Sequence, residues 1–238
     1  MKSLLYSIVS LSCLLTACAN QYSVRGTSAD TILDGQMAYI KTLDNNVYKV
    51  LDSCEVLHGQ FHMSGQLDSP LYVNIFMGEN NFIPIVLEEG EVKIDIANSQ
   101  IKIAGTPLND KLYRFLTSRD SLAMLRAELP KRESQMYIDG YTQDEIIDEL
   151  SAAEMEYGHA QDKLETQFIK DNYDNVLGTT WFIQLCNQAF NIFGHPTTTP
   201  QIDEIYFEAP ESFKNNKDVK DYMRRCDEEG ALKSEEFF

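Results

Sequence analysis

Positive charge is scarce in this chain. It has 20 Lys and Arg against 37 Asp and Glu, a formal net charge of −17. A surface of that sign repels nucleic acid, whose binding rests on Lys and Arg meeting phosphate. It also gains nothing from an anionic membrane face. The charge is read as a solubility feature rather than as an acidic docking surface. Cysteine is sparse as well: five in 238 residues, with no C-x-x-C spacing anywhere. That excludes the paired-thiol motif of disulfide exchange. No apolar run reaches the ~20 residues that a bilayer-spanning helix needs. The chain also has no G-x-S-x-G elbow, Walker loop, H-E-x-x-H helix or dinucleotide-binding glycine fingerprint, so the common motifs of hydrolases, nucleotide hydrolases, zinc proteases and nicotinamide enzymes are missing. Internal repeats and low-complexity stretches are missing too.

What is present begins at the N-terminus. Lys2 gives a short basic region, Leu4 to Leu15 an apolar one, and Thr16-Ala17 a small-residue approach to Cys18. That order is the layout of a secretory signal. Leu15-Thr16-Ala17-Cys18 further resembles a bacterial lipobox, in which the cysteine sulfur is acylated and cleavage leaves that cysteine first. Residues 1–17 are therefore read as a lipoprotein signal peptide and Cys18 as the lipidation site, since two or more acyl chains hold a protein stably on a bilayer. Ala19-Asn20-Gln21-Tyr22 follows, with neither an acidic cluster nor an Asp directly after the cysteine. The expected location is the outer membrane, facing the periplasm.

Beyond Cys18 the chain changes character once. From Tyr22 to about Ala104, short apolar runs alternate with turn residues, as in "MAYIKT", "VYKVLD", "PLYVNIFM", "NFIPIVLE" and "EVKIDIA". Seven to eight strands are expected, which suits a sandwich or open barrel. His58-Gly59 and Glu89-Gly90 read as hairpin turns, because Gly accepts positive φ at no steric cost. After Thr106 the apolar spacing becomes helical. Thr106-Pro107 opens a helix that carries Leu112, Phe115, Leu116, Leu122, Leu125 and Leu129, and Pro130 stops it. Thr142-Gln143-Asp144-Glu145 is a capping box. Behind it, Ile146, Leu150, Ala153, Tyr157, Ala160 and Leu164 make one apolar stripe. "WFIQLCNQAF" reads as a buried helix, Thr199-Pro200 starts another with Ile202, Ile205 and Tyr206 inward, and a last helix runs from about Asn216 to Glu228. The expected fold class is α+β: an N-terminal antiparallel β-sandwich-like domain over residues 18–105, followed by a C-terminal helical region over 106–238.

Asp52-Ser53, Gly59-x-Phe61-x-x-x-Gly65, Glu88-Glu89-Gly90 and Gly105-Thr106-Pro107-Leu108-Asn109-Asp110 together carry a resemblance. The pattern resembles the β-rich domain of unknown function that precedes a thioredoxin-like domain in lipoproteins of Gram-negative anaerobes. Those are thiol-disulfide oxidoreductases of the AhpC/TSA and TlpA-like kind. The W-C-x-x-C motif of that redox domain is absent up to Phe238, and Trp181, the one tryptophan, has no cysteine in that arrangement. No catalytic residue carries over.

Candidate chemistry is thin. Cys54, His58 and His62 are spaced by four, which on a helix would gather metal ligands. On a hairpin turning at His58-Gly59, Cys54 would instead face Met63 and share a face with Val56 and Phe61, as a core thiol. The same parity puts Asp52 inward, where backbone N–H groups at a bend would satisfy it. Glu88, Glu89 and Glu91 are read as solvated. Cys186 is read as core, and Cys226, after Arg224-Arg225, as the candidate reactive thiol, since nearby cations lower a thiol pKa. At most one disulfide can form among Cys54, Cys186 and Cys226, with connectivity open. The expectation is a non-catalytic module with no cofactor and no metal. It would be tethered to the lipid bilayer through Cys18 and would bind a periplasmic protein partner. The alternative is an accessory to thiol-disulfide exchange that works with a separate thioredoxin-like protein.

Overall fold

A computed structural model of the chain describes residues 20–29, 31–44, 47–78, 81–97 and 100–235. Cys18 and residues 1–17, read above as a signal peptide, lie outside the described residues, as do Asn45 and Asn46 of the turn-rich "LDNN". The chain divides into two units, one ending at Thr106 and one beginning at Pro107.

The first unit holds eight strands: β1 (Gln21–Ser28), β2 (Met37–Asp44), β3 (Val47–Glu55), β4 (Gln60–Gln66), β5 (Leu71–Met77), β6 (Asn81–Leu87), β7 (Gly90–Ala97) and β8 (Gln100–Ala104). They form two four-stranded sheets, in the orders β4-β1-β7-β8 and β3-β2-β5-β6. Strand alternation gives each sheet one apolar face. Val24 pairs with Met63 on one side and Val92 on the other, and Ile94 with Ile103. In the second sheet Ile40 pairs with Ile75, and Ile75 with Ile83. All of these side chains are buried. Each full burial stabilises by about 1.5–3 kcal/mol. Among the described residues five of the six strand pairings are antiparallel, but β1 and β7 run parallel, so the first sheet is mixed.

Both turns expected as hairpins exist, and both do something else. His58 and Gly59 take positive φ, 52° and 70°, and Leu57 bridges Gln60. The pairing stops there. β3 pairs with β2 and β4 with β1, so Cys54 stands opposite Ala38, and Met63 opposite Val24. Glu88-Glu89 likewise carries the chain from the edge strand of one sheet into the other. These are corners between sheets, because the chain reverses while its two arms stay with different partners. The corner also corrects the reading of Glu88, which is buried rather than solvated.

The second unit is helical: α1 (Pro107–Ala127), α2 (Leu129–Ile138), α3 (Gln143–Lys170), α4 (Val176–Phe193), α5 (Pro200–Glu208), α6 (Glu211–Lys214) and α7 (Lys217–Glu235). Pro130 ends nothing by itself; it sits in the first turn of α2, where its missing N–H costs little. The capping box at α3 is complete. The Thr142 side chain accepts from the Glu145 N–H, and the Glu145 carboxylate accepts from the Thr142 N–H at 2.9 Å. The α3 stripe buries Ile146 and Ala153 and continues into Phe168 and Ile169. Thr199 caps α5, with Ile202 and Ile205 buried behind it. The α1 stripe is real at Leu112 and Phe115 but fades, and Leu125 is exposed. "WFIQLCNQAF" is buried at Trp181, Phe182, Cys186 and Ala189, while Phe190 and Phe193 reach solvent. Among the described residues no helix is long and apolar enough to cross a membrane.

Candidate functional site

The most distinctive surface of the β unit is the β2–β3 ribbon. β3 is the end strand of its sheet, so among the described residues one row of its backbone groups has no neighbouring strand. β5 supports β2 only from Ala38 to Lys41. Past Lys41 the pairing runs Lys41–Val50, Thr42–Lys49, Leu43–Tyr48 and Asp44–Val47 as a two-stranded extension. An isolated two-stranded hairpin is marginal in water, and edge strands of soluble proteins are usually short, charged or covered. This one is nine residues long, and its outer half is largely apolar and exposed. Val47 is 68 % exposed, Leu43 56 %, Tyr48 51 % and Val50 50 %. Lys49 is the single charge between Val47 and Leu51.

An aromatic strip continues from the ribbon onto the sheet. The Tyr48 and Phe76 rings meet edge-on at 5.0 Å, and Phe76 and Phe82 lie 6.0 Å apart. The Lys41 ammonium sits over Phe76 at 4.6 Å and over Tyr39 at 5.2 Å, an attraction to the ring quadrupole.

The base of the ribbon is pinned. The register slips between Ile40 and Lys41, so that Asp52 opposes Ile40 while Val50 opposes Lys41, leaving Leu51 as a bulge. Asp52 shares the inward parity of Ile40, and its carboxylate accepts the Ser53 N–H at 2.7 Å. This is the backbone-satisfying role at a bend that its sequence position implied. Tyr22, buried on β1, adds its hydroxyl to the same carboxylate. Burial pushes the Tyr22 phenol up, and the adjacent Asp52 charge pushes it further. β3 is thereby held to the other sheet just below the point where it leaves its support.

Cys54, two residues on, is half-buried, and burial raises its thiol. The His62 ring lies 3.2 Å from the Ser23 hydroxyl, and His58 occupies the corner turn. Among the described residues no three His, Cys, Asp or Glu side chains are arranged to hold a metal ion. Glu91 pairs with Arg25 at 3.1 Å and Lys93 at 3.7 Å.

In the helical unit, Lys111, Arg114, Gln167, Asp171 and Asn172 rim a groove of about 380 Å³ between α1 and α3, floored by Phe115 and Phe168. Lys111 donates to Asn172 at 3.4 Å and Gln167 to Asp171 at 2.7 Å, so these polar groups are already engaged with each other. Nearby, Glu165 is buried beside Arg119 at 3.3 Å and accepts from Gln161 at 3.1 Å; burial still pushes its carboxyl up. Arg119 also lies over the Trp181 ring at 5.1 Å. This set reads as a satisfied structural ion pair, since each charge has its partner.

Cys226 does not have the environment expected of it. Arg224 is drawn to Glu228 at 2.6 Å and Arg225 to the Tyr222 ring at 5.8 Å. Burial raises the Cys226 thiol, with Asp227 and Asp203 adding to the rise against Arg225. Cys186 is fully buried, as expected of a core thiol.

The ribbon was missed in the sequence because "VYKVLD" alternates like any half-buried strand. The one available signal was the closeness of Val47, Tyr48, Val50 and Leu51, apolar on both parities. Residues 22–112, from β1 into the first helical turns of α1, match the family model described as "Domain of unknown function (DUF4369)". No curated protein matches the chain.

Proposed function

We propose that the chain is a lipid-anchored protein of the cell envelope whose β unit is a non-catalytic interaction module. The partner is an extended segment of another polypeptide. It adds as a strand along the open edge of β3 and lays alternate apolar side chains against Tyr48 and Val50. Strand addition draws affinity from main-chain hydrogen bonds and specificity from alternate side chains. The observation that carries this reading is the β2–β3 extension, apolar on both faces and without a third strand.

Panning a random-peptide display library against the protein tests it. Enriched peptides should alternate apolar residues and slow amide hydrogen exchange at Val47–Ser53. Val50→Lys should weaken them tenfold or more while leaving the melting temperature unchanged. No enrichment, or protection confined to other strands, counts against the proposal.

The anchor is inferred from Lys2, the Leu4–Leu15 run and Leu15-Thr16-Ala17-Cys18, and the outer membrane, facing the periplasm, is the location proposed from the residues after Cys18. Blocking the lipoprotein signal peptidase should accumulate an uncleaved precursor, seen as a slower band on a gel. Continued release of a processed, unlipidated protein would remove Cys18 from the picture.

An accessory role beside a separate thioredoxin-like protein would draw on Cys226. Burial raises that thiol, while the Tyr222 hydroxyl and Arg225 act to lower it.

A further inference from the structure

Two of the three described cysteines sit on α4 and α7, neighbouring helices of the helical unit. Along α4, Phe182, Cys186 and Ala189 are buried on one face. Along α7, Val219 and Tyr222 are buried, and Cys226 follows one turn later on the same face. The Tyr222 hydroxyl joins the two helices. It donates to the Cys186 carbonyl at 2.9 Å and reaches the Thr197 carbonyl at 2.9 Å. The Cys226 thiol lies against that same hydroxyl, and it is the ionisable neighbour of Cys186. Both thiols are free in this structure.

We propose that Cys186 and Cys226 are a disulfide-forming pair that locks α7 onto α4. The oxidant is a disulfide, carried by a small molecule or by a protein. Cys226, the half-buried member, attacks as thiolate on one sulfur of that disulfide; the other sulfur leaves and takes up a proton. A mixed disulfide at Cys226 results. Cys186 then gives up its proton and attacks the Cys226 sulfur, which expels the second thiol of the oxidant. Two protein thiols lose two electrons and become one disulfide, while the oxidant gains them and becomes two thiols. Burial raises both protein thiols, Cys186 most strongly. Cys186 has no solvent exposure, so its sulfur is out of reach of an external thiol and the bond is a brace between helices.

The test uses the full chain in a buffer of oxidised and reduced glutathione, quenched with acid and an alkylating reagent, then digested and mapped by mass spectrometry. The expected product is a peptide carrying Cys186 joined to one carrying Cys226. Its formation should survive Cys54→Ser and should vanish on reduction. The oxidised protein should melt at a higher temperature than the reduced one, a difference that Cys226→Ser removes. Recovery of both cysteines singly alkylated overturns the proposal. So does glutathione retained on Cys226 with Cys186 free, or a bond from either residue to another cysteine.

Discussion

Phe182→Ala should cost the helical unit about 3–5 kcal/mol, the range for removing a fully buried aromatic ring from a core. Phe182 has no solvent exposure. Its ring meets Phe213 edge-on at 5.4 Å, Phe213 meets Tyr173 at 4.8 Å, and the Tyr173 hydroxyl donates to the Ile205 carbonyl at 2.6 Å. One side chain thus ties α4 to α6, to the turn after α3 and to the end of α5. The neighbouring Phe115, Phe168 and Trp181 rings form their own cluster, with Phe115 and Phe168 stacked at 3.9 Å. They cannot move over to fill the space without giving up that stacking. Urea unfolding followed by fluorescence reads this directly, because Trp181 is the only tryptophan in the chain and lies beside the substitution. Phe190→Ala, at the solvent-facing end of the same helix, should stay within about 0.5 kcal/mol. A Phe182→Ala loss below about 1 kcal/mol would mean that the helices collapse onto the gap, contrary to the packing described.

Much of this architecture is legible in the sequence, for reasons that are local. Thr142 with Glu145, and Thr199 with Pro200, announce their helices because the cap chemistry is completed within three residues. The α3 stripe is legible because a single face repeats over the whole helix. Asp52 at a bend was legible from strand parity alone. What escaped depends on partners far apart in the chain. His58-Gly59 and Glu89-Gly90 announce reversals, but whether two arms pair with each other or with strands elsewhere is decided by β1, β2 and β7. The parallel β1–β7 pairing and the burial of Glu88 follow from those same distant choices. The surroundings of Cys226 were not legible either: Arg224 goes to acids on its own helix, Arg225 lies over the Tyr222 ring, and burial raises the thiol. The open edge of β3 was invisible for a similar reason. An edge is defined by which strand is missing, and no pattern within Val47–Glu55 states that.

Gly26→Ala should be nearly as costly as losing the ring that faces it. Gly26 sits in the middle of β1, paired with Phe61 on one side and Ile94 on the other. The Phe61 ring lies flat across the space where a side chain would be: an added Cβ would stand 1.9 Å from its Cζ and 2.0 Å from its Cε1. The arrangement repeats in reverse four residues earlier, where Tyr22 pairs with Gly65 and its ring would lie 2.8–3.0 Å from a Cβ there. Rings folded over cross-strand glycines protect backbone that would otherwise be thinly covered. They also explain why Phe61 and Gly65 stand four apart in the sequence. Phe61 is buried and its ring fills the space beside Gly26, so an alanine at position 26 must displace it. A loss of roughly 3 kcal/mol follows, close to the cost of removing a buried Phe outright. Coupling distinguishes this account from a general intolerance of β1. Once Phe61 is Ala, the methyl at position 26 has room, and a strand interior prefers Ala to Gly. The double variant should therefore be no less stable than Phe61→Ala alone, a large departure from additivity for residues in contact. Amide hydrogen exchange at Val24, Arg25 and Met63 measures the opening free energy within the β unit itself. Simple addition of the two single losses would show that Gly26 is required for something other than the ring lying across it.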